Sequence, residues 1–548
     1  MKQTLFVCCC IATLFHISSP HLPAQSTSTP QSPSDAAKTI SPDSLLAFSY
    51  SALMEKVVGA ERRANALSAI ARAHFAMQKP IQAAAIWVEA LQETNRLTNA
   101  AEKSAMLMRV LSAGIEMSMA DTVQVLMQNL SDAFDSASLQ LMLANAYLKA
   151  GKKEKAQNLL ETLSSAIPAL DADVRQISLS GQLALLYFKL GDERKGANQL
   201  KEALALPKNF PDDPDAATEL GRLAVEFFQA QRQADGKKVL QSAVASVSKL
   251  NDKASAMAVR EALVELLLQV KEFTVAQSLA AAIPDVPERL KVLSQIAVQL
   301  GRQGQGAEAK QVAEQMYQLA RSIRNTSNRA EAIGKVAVVL AQAGFPSEAQ
   351  TKADEAIAAI NAIPVDFDKS AVAAELAADF AEAKMFSKAN LAMQRVKVPQ
   401  HRAIATFEVG FAFTQAGEPA QALPLLLEAL SLRANLANPE VKVKAMATVA
   451  VELHKAKSDK ADSAFQASIT ALPEIKAHTK QLEMCRQIAV EWVKVGAVKQ
   501  ALQALRQVPD AMNAVVALSE VAQVCREKKI NLTESEGVLL KALQESLP

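Results

Sequence analysis

Residues Ala144–Pro168 read ANAYLKAGKKEKAQNLLETLSSAIP. Ala144 is followed three positions on by the bulky Tyr147, four further by Gly151, and five further by Ala156; Leu160, Leu163 and Pro168 complete the stretch. Steps of three and four place side chains on one helix face. Gly151 supplies the left-handed conformation that ends a first helix, and Pro168 stops a second. Small residues at Ala144 and Ala156 let two antiparallel helices approach closely. The stretch therefore predicts a helical hairpin, which has too little surface to fold alone and must stack on neighbours.

The same order recurs at Ala184, Tyr187, Gly191, Gly196, Leu200, Ala203; at Ala337, Leu340, Gly344, Ala349, Ala353, Ala356; and at Gly410, Phe413, Gly417, Ala422, Leu426, Ala429. Composition agrees. Of 548 residues 50% are hydrophobic but only 4% aromatic, so the apolar content is mostly Ala, Leu and Val. Ala is the best helix former and permits close packing. Seventeen Gly and 21 Pro are too few for an all-β chain with a turn every ten residues or so. A chain this long exceeds one compact core, so it divides or extends as an array.

The small–bulky–Gly–small–bulky–small–Pro order resembles the tetratricopeptide repeat. Turns are placed at Gln78, Ala120, Gly151, Gly191, Gln231, Lys271, Gly304, Gly344, Lys384, Gly417, Lys457 and Gly496. That makes twelve units, with a degenerate hairpin after Pro509. The resemblance implies an all-α, right-handed superhelical solenoid of about twelve to thirteen stacked antiparallel helix pairs. Departures from the family pattern are clear: most intervals exceed its usual repeat of ~34 residues, the early aromatic is mostly missing, and half the turns lack Gly. The expected layout is a leader over 1–24, a flexible linker over 25–42, a capping helix over 43–59, the solenoid over 60–508 and a degenerate cap over 509–548.

The leader expectation rests on Lys2, the apolar run Leu5–Phe15, and Ala24 before a cut, which has the form of a secretory signal. The run is too short to span a membrane. Cys8, Cys9 and Cys10 sit in it, but Val7, Cys8 and Cys9 do not make a small-residue lipobox before Cys10. Gln25–Pro42 is rich in Ser, Thr and Pro and reads as a linker. Beyond the leader only Cys485 and Cys525 remain, which is no disulfide framework. They pair only if their Cα atoms come within about 7 Å, and otherwise read as small buried residues. An exported protein, periplasmic or extracellular, with no transmembrane segment is the expectation.

Chemistry is sparse. There is no P-loop, nucleophile elbow or metalloprotease His pair. GRQGQG at Gly301–Gly306 follows a helical pattern, so it reads as a turn and not a dinucleotide loop. His74, His401, His454 and His478 are too scattered for a metal site, and Trp87 and Trp492 read as packing residues. Lys plus Arg is 59 against 57 acids, a net charge of +2, which is no nucleic-acid signature. No cofactor, metal site or catalytic residue is assigned.

Two rows stand out. Two residues before the turns lie Lys149, Lys189, Gln229, Gln269, Arg302, Gln342, Gln415, Lys455 and Lys494, with Glu382 among them. Lys444 and Arg486 occupy other offsets. The resemblance implies that this row edges a concave groove, cationic toward both ends, that could hold an extended peptide or an acidic surface. The competing reading is a solvated row complementing helix dipoles. Arg63, Arg289, Arg329 and Arg402 lie fifteen residues before a turn, at helix starts where a cation is unfavourable. They call for an inter-repeat salt bridge or a carbonyl contact from the preceding hairpin.

Three functions follow: an exported non-catalytic scaffold binding other proteins, a cell-envelope enzyme or enzyme subunit built on a solenoid, or a passive spacer. The scaffold reading is the one the residues support best.

Overall fold

The computed structural model describes residues 40–508 and 510–546; the leader and nearly all of the linker lie outside them. Among the described residues regular structure is helical, apart from one isolated antiparallel bridge between Ile40 and Leu532. A first helix, α1 (Pro42–Lys56), precedes a long series of pairs. The first helices of the pairs are α2 (Ala60–Ala76), α4 (Ala100–Glu116), α6 (Ala133–Lys149), α8 (Arg175–Leu190), α10 (Pro214–Gln229), α12 (Lys253–Gln269) and α14 (Val286–Arg302). They continue as α16 (Thr326–Gln342), α18 (Asp366–Glu382), α20 (Pro399–Gln415), α22 (Pro439–Lys455), α24 (His478–Lys494) and α26 (Ala511–Lys528). The second helices are α3 (Pro80–Asn95), α5 (Ala120–Leu126), α7 (Lys153–Ala166), α9 (Glu193–Ala205), α11 (Gln233–Val247) and α13 (Phe273–Ala281). After them come α15 (Gly306–Ser322), α17 (Pro346–Asn361), α19 (Phe386–Met393), α21 (Pro419–Ser431), α23 (Ala461–Ala471), α25 (Val498–Leu505) and a last helix, α27 (Glu534–Ser546).

Local signals set these boundaries. Asp or Asn side chains accept from backbone N–H groups at the starts of α4, α6, α10, α12, α14, α16, α22 and α26. Such a cap contributes about 1 kcal/mol. Every first helix ends in a left-handed residue: Gln78, Ser118, Gly151, Gly191, Gln231, Lys271, Gly304, Gly344, Lys384, Gly417, Lys457, Gly496 and Lys529. Eleven of the twelve expected turns are at the expected residue. The other is corrected from Ala120 to Ser118, with φ of 64°. Met119 N–H already reaches back to Gly114 C=O at 2.9 Å, and Ala120 opens α5.

With Ser118 in place the spacing takes two values. Left-handed residues are 40 residues apart (39 once) or 33, the short steps running from Ser118, Lys271, Lys384 and Gly496. Those four units hold the shortest second helices, α5, α13, α19 and α25, of 7 to 9 residues. The missing seven residues are about two helical turns, so the variable repeat length lies in the outer layer.

Each first helix packs on the next along the whole series, whereas extensive backbone approach between neighbouring second helices is seen only at α17/α19, α23/α25 and α25/α27 among the described residues. The layer whose helices touch continuously is the inner, shorter circumference. Its spacing is set by small residues and Leu, most of them fully buried.

The series does not end freely. α26 packs on α2, and α1 packs on both α26 and α2. The α1 helix thus takes the place of the second helix that α26 lacks, since α27 lies instead beside α25. Leu45, Leu46 and Leu53 of α1 are fully buried at this seam. Ile40 and Leu532 exchange two backbone hydrogen bonds of 2.8 and 2.9 Å. Gln544 Nε2 donates to Glu55 at 2.9 Å, Lys79 pairs with Asp43 at 2.7 Å, and Arg62 pairs with Asp510. Two expectations are corrected here. The helix expected to cap one end closes a ring, and the segment after Pro509 supplies half a hairpin, completed from the other end of the chain. At an axis spacing of ~9 Å, thirteen helices on a circular path enclose an opening roughly 25–30 Å across.

The Arg row makes the expected carbonyl contacts. Arg63 Nε donates to Val57 C=O and Arg289 Nε to Ile283 C=O, both at 2.7 Å. Arg329 reaches Ile323 C=O at 3.4 Å, and Arg402 reaches Met393 C=O at 3.0 Å and Glu428 at 2.7 Å. Each Arg satisfies a carbonyl left over by the preceding segment. Arg289→Met keeps the aliphatic stem and removes the donor, so urea unfolding should show a loss of about 1–2 kcal/mol. The glycines of GRQGQG are also accounted for. Gly304 is left-handed, while a side chain on Gly301 or Gly306 would press on the backbone of Gln342 or Ala343 at 3.0 and 2.7 Å.

Candidate functional site

Counted back from the left-handed residue, positions four, eight and eleven are buried in most first helices, as in Leu340, Val336 and Ile333 of α16, with His74, Gln140 and Arg260 only partly so. Positions two, six, nine, thirteen and sixteen carry the accessible stripe. In α2 these are Ala76, Arg72, Ala69, Asn65 and Arg62. Because all first helices run the same way, the stripes line the inner face side by side, and position two forms one rim.

The expected groove row occupies that rim. Lys149, Lys189, Gln229, Gln269, Arg302, Gln415, Lys455 and Lys494 are exposed, and Gln342 is partly buried. Lys444 lies on the same stripe near the opposite rim, while Arg486 points to α26 and reaches Glu520 at 3.3 Å. Much of the charge is already answered. Lys189 Nζ donates to Asn145 at 3.2 Å, Lys455 pairs with Glu452 at 2.8 Å, Lys494 with Glu491 at 2.6 Å, and Arg302 with Glu382 at 3.9 Å. Where both partners are exposed, as in Lys494–Glu491 and Arg302–Glu382, such pairs contribute little to stability. The row does not form one continuous cationic edge, since Glu116, Glu382 and Glu527 share its offset. A closed ring also has no two ends at which cations could gather.

Two members of the row line real grooves. Lys149 borders a cavity of 760 Å³ between α4 and α6, with Glu116, Asp121, Tyr147 and Lys152. Hydrogen bonds from Lys152 and Lys155, at 2.7 and 2.8 Å, hold the Asp121 carboxyl far below the usual range. Lys455 borders one of 640 Å³ with His454, Lys457 and Val495.

Sequence reading missed a third region on the same face. The stripe of α18 runs Asp368, Ala371, Glu375, Ala378, Glu382, and that of α20 runs His401, Ile404, Glu408, Phe411, Gln415. Phe407 stacks with Phe411, centroids 6.2 Å apart. Lys335 of α16 bridges Glu331 and Glu375, reaching Glu375 at 3.0 Å. Burial pushes the Asp379 carboxyl up to about 7, with Lys335 opposing and Glu375, Glu382 and Glu331 reinforcing it. Burial raises Glu408 too, and Glu375 adds to it.

Among the described residues no group of His, Cys, Asp and Glu is arranged to hold a metal ion, and no helix is long and apolar enough to cross a membrane. Cys485 and Cys525 are free and fully buried, and burial pushes both thiols up to about 12. Neither should react with iodoacetamide at pH 8 until the protein unfolds, as mass spectrometry of pulse-labelled protein would register. Because the folded thiols titrate above the ordinary value of 9.0, the unfolded chain ionises first. Their contribution is complete below pH 9 and falls as pH rises toward 12.

No family model matches the chain, and no curated protein matches it. Solved structures with detectable similarity include Ton1535 from Thermococcus onnurineus NA1, at 14% identity and TM-score 0.23, over 70% of this chain and 98% of that one. A Rap protein complexed with competence and sporulation factor matches at 12% identity and TM-score 0.24, over 71% of this chain and 99% of that one. The APC/C hetero-tetramer Cut9-Hcn1 matches at 14% identity and TM-score 0.20, over 92% and 96%. Similarity at this level carries no argument about this chain.

Proposed function

We propose that this chain is a non-catalytic scaffold that holds another protein against the inner face of its helical ring, outside the cytoplasm. The observation that carries this is the unbroken inner layer. Among the described residues thirteen parallel first helices each present the same five-position stripe to one enclosed space, with two grooves along its rim. Such a surface can grip an extended or helical segment over a long path. The seam favours this over a passive spacer, because a ring whose ends bond to each other gains no reach with added repeats.

A photo-crosslinking amino acid at Gln229 or Lys149, on the inner rim, should capture a reproducible partner in the source cell. The same group at Lys201, exposed on the outer helix α9, should not. Capture from Lys201 alone would overturn the inner-face reading. The proposed export rests on the leader over residues 1–24. N-terminal sequencing of the mature protein from the cell-envelope fraction should begin just after Ala24, and a full-length chain confined to the cytosol would refute it.

A further inference from the structure

We propose that the α18–α20 sector of the inner face is the docking site for a cationic amphipathic segment of a partner protein. This rests on the scaffold reading and gives its partner a chemistry.

Three features converge on the sector. The stripe of α18 alternates acids with alanines: Asp368, Glu375 and Glu382 are separated by Ala371 and Ala378. The alanines leave a shallow floor between negative side chains. On the neighbouring helix, Ile404 and Phe411 turn apolar surface toward the same space and Phe407 stacks against Phe411, all three partly accessible. At the far rim Phe367 is 51% exposed and sits edge-on to His401 at 4.6 Å.

The charge is poorly answered from within. Among the described residues, Asp368, Asp379 and Glu408 have no ionic or side-chain hydrogen-bonding partner. Glu375 shares Lys335 with Glu331, and Glu382 has only the distant Arg302. Like charges on neighbouring turns repel, and partly desolvated acids without partners are costly. A segment with apolar residues on one side and Lys or Arg flanking them would cover the aromatics and neutralise the acids together. Other occupants fit less well. Nucleic acid would meet its own sign of charge, a bilayer cannot follow a concave bore of this width, and no metal-holding group of side chains is present among the described residues. The sector also differs from the rim at Lys149 and Lys189, where the exposed charge is positive.

The test uses the full chain and a fluorescein-labelled amphipathic peptide of Leu and Lys, with a Leu–Glu isomer of the same pattern as control. Fluorescence anisotropy should show binding of the Lys peptide that weakens with added salt, and little binding of the Glu peptide. Glu375→Lys with Glu408→Lys should raise Kd by about tenfold or more, and so should Phe411→Ser, which leaves the charges in place. Lys149→Glu, on the rim across the ring, should change Kd by less than about twofold. Thermal melts by circular dichroism establish that each variant is folded. The proposal fails if the two peptides bind alike, if neither binds, or if the sector variants bind as the parent does. In those cases capture of a partner from Gln229 or Lys149 would still stand or fall independently, so the scaffold reading is judged separately.

Discussion

Replacing Leu46 and Leu53 together by Asp is expected to open the ring. Both side chains are completely buried where α1 lies against α26. Truncating one buried Leu to Ala costs ~2–5 kcal/mol, and Asp adds an unpaired charge in the same place. What remains at the seam is the packing of α26 on α2, now stripped of the helix that covers it, with the Ile40–Leu532 bridge and a few exposed polar contacts of small net value. The other hairpins keep both sequence neighbours, so the array should stay helical and lose only its closure. Small-angle scattering should show a larger radius of gyration and a longer maximum dimension, with far-ultraviolet circular dichroism nearly unchanged. Leu391→Asp, at an exposed position on α19, should leave the scattering as it was. Closure within one chain should prevail over exchange of α1 between copies, because the effective concentration of a tethered helix is in the millimolar range. Unchanged scattering from the double variant would mean that α1 is not what closes the ring.

The repeat was legible because its determinants are local. A left-handed residue between two helices leaves a Gly in half the cases, and where Gly is absent the spacing of Ala, Phe and Leu still marks most of the places, as in Ala224 and Phe227 before Gln231. Ser118 was misplaced by two residues because neither Gly nor a bulky–small step points to it: four positions back lies Gly114, which is packed against Trp87. Closure could not be read so easily. The stretch DSLLAFSYSALMEKVV shows that one helix buries Leu45, Leu46 and Leu53, but nothing nearby says against what. At the other end of the described residues, α27 follows α26 in the chain but packs on α25, so only the tertiary contacts show that α1 completes the hairpin across the seam. The inner rim was found because its offset is fixed by the turn. The acid and aromatic sector was missed because its residues stand six, nine and ten positions before the turn. They become neighbours only when α18 and α20 lie side by side.

The second large effect concerns the spacing of the inner helices themselves. A side chain added at Gly334 of α16 would place its Cβ 2.2 Å from Leu376 Cδ2 of α18, with Cδ1 at 2.8 Å. The same pairing recurs between Gly181 and Leu223 and between Gly221 and Leu263, each at 2.2 Å. Gly in mid-helix is unfavourable by ~1 kcal/mol relative to Ala, so propensity alone would make Gly334→Ala stabilising. Overpacking costs ~1–3 kcal/mol, and here the neighbour that must move is itself fully buried. The packing term should win, giving a net loss for Ala and a larger one for Val. Leu376→Ala alone should cost ~2–5 kcal/mol through the cavity it leaves. If the contact is what sets the distance, the double variant Gly334→Val with Leu376→Ala should be more stable than the sum of the two by ~1–3 kcal/mol, read from urea unfolding in a double-mutant cycle. Strict additivity would show that the helices can move apart at no cost. That outcome would also remove the physical basis for a ring of fixed bore. Curvature accumulates from one helix contact to the next, and a Leu seated against a Gly is what brings α16 and α18 close enough for the circle to close.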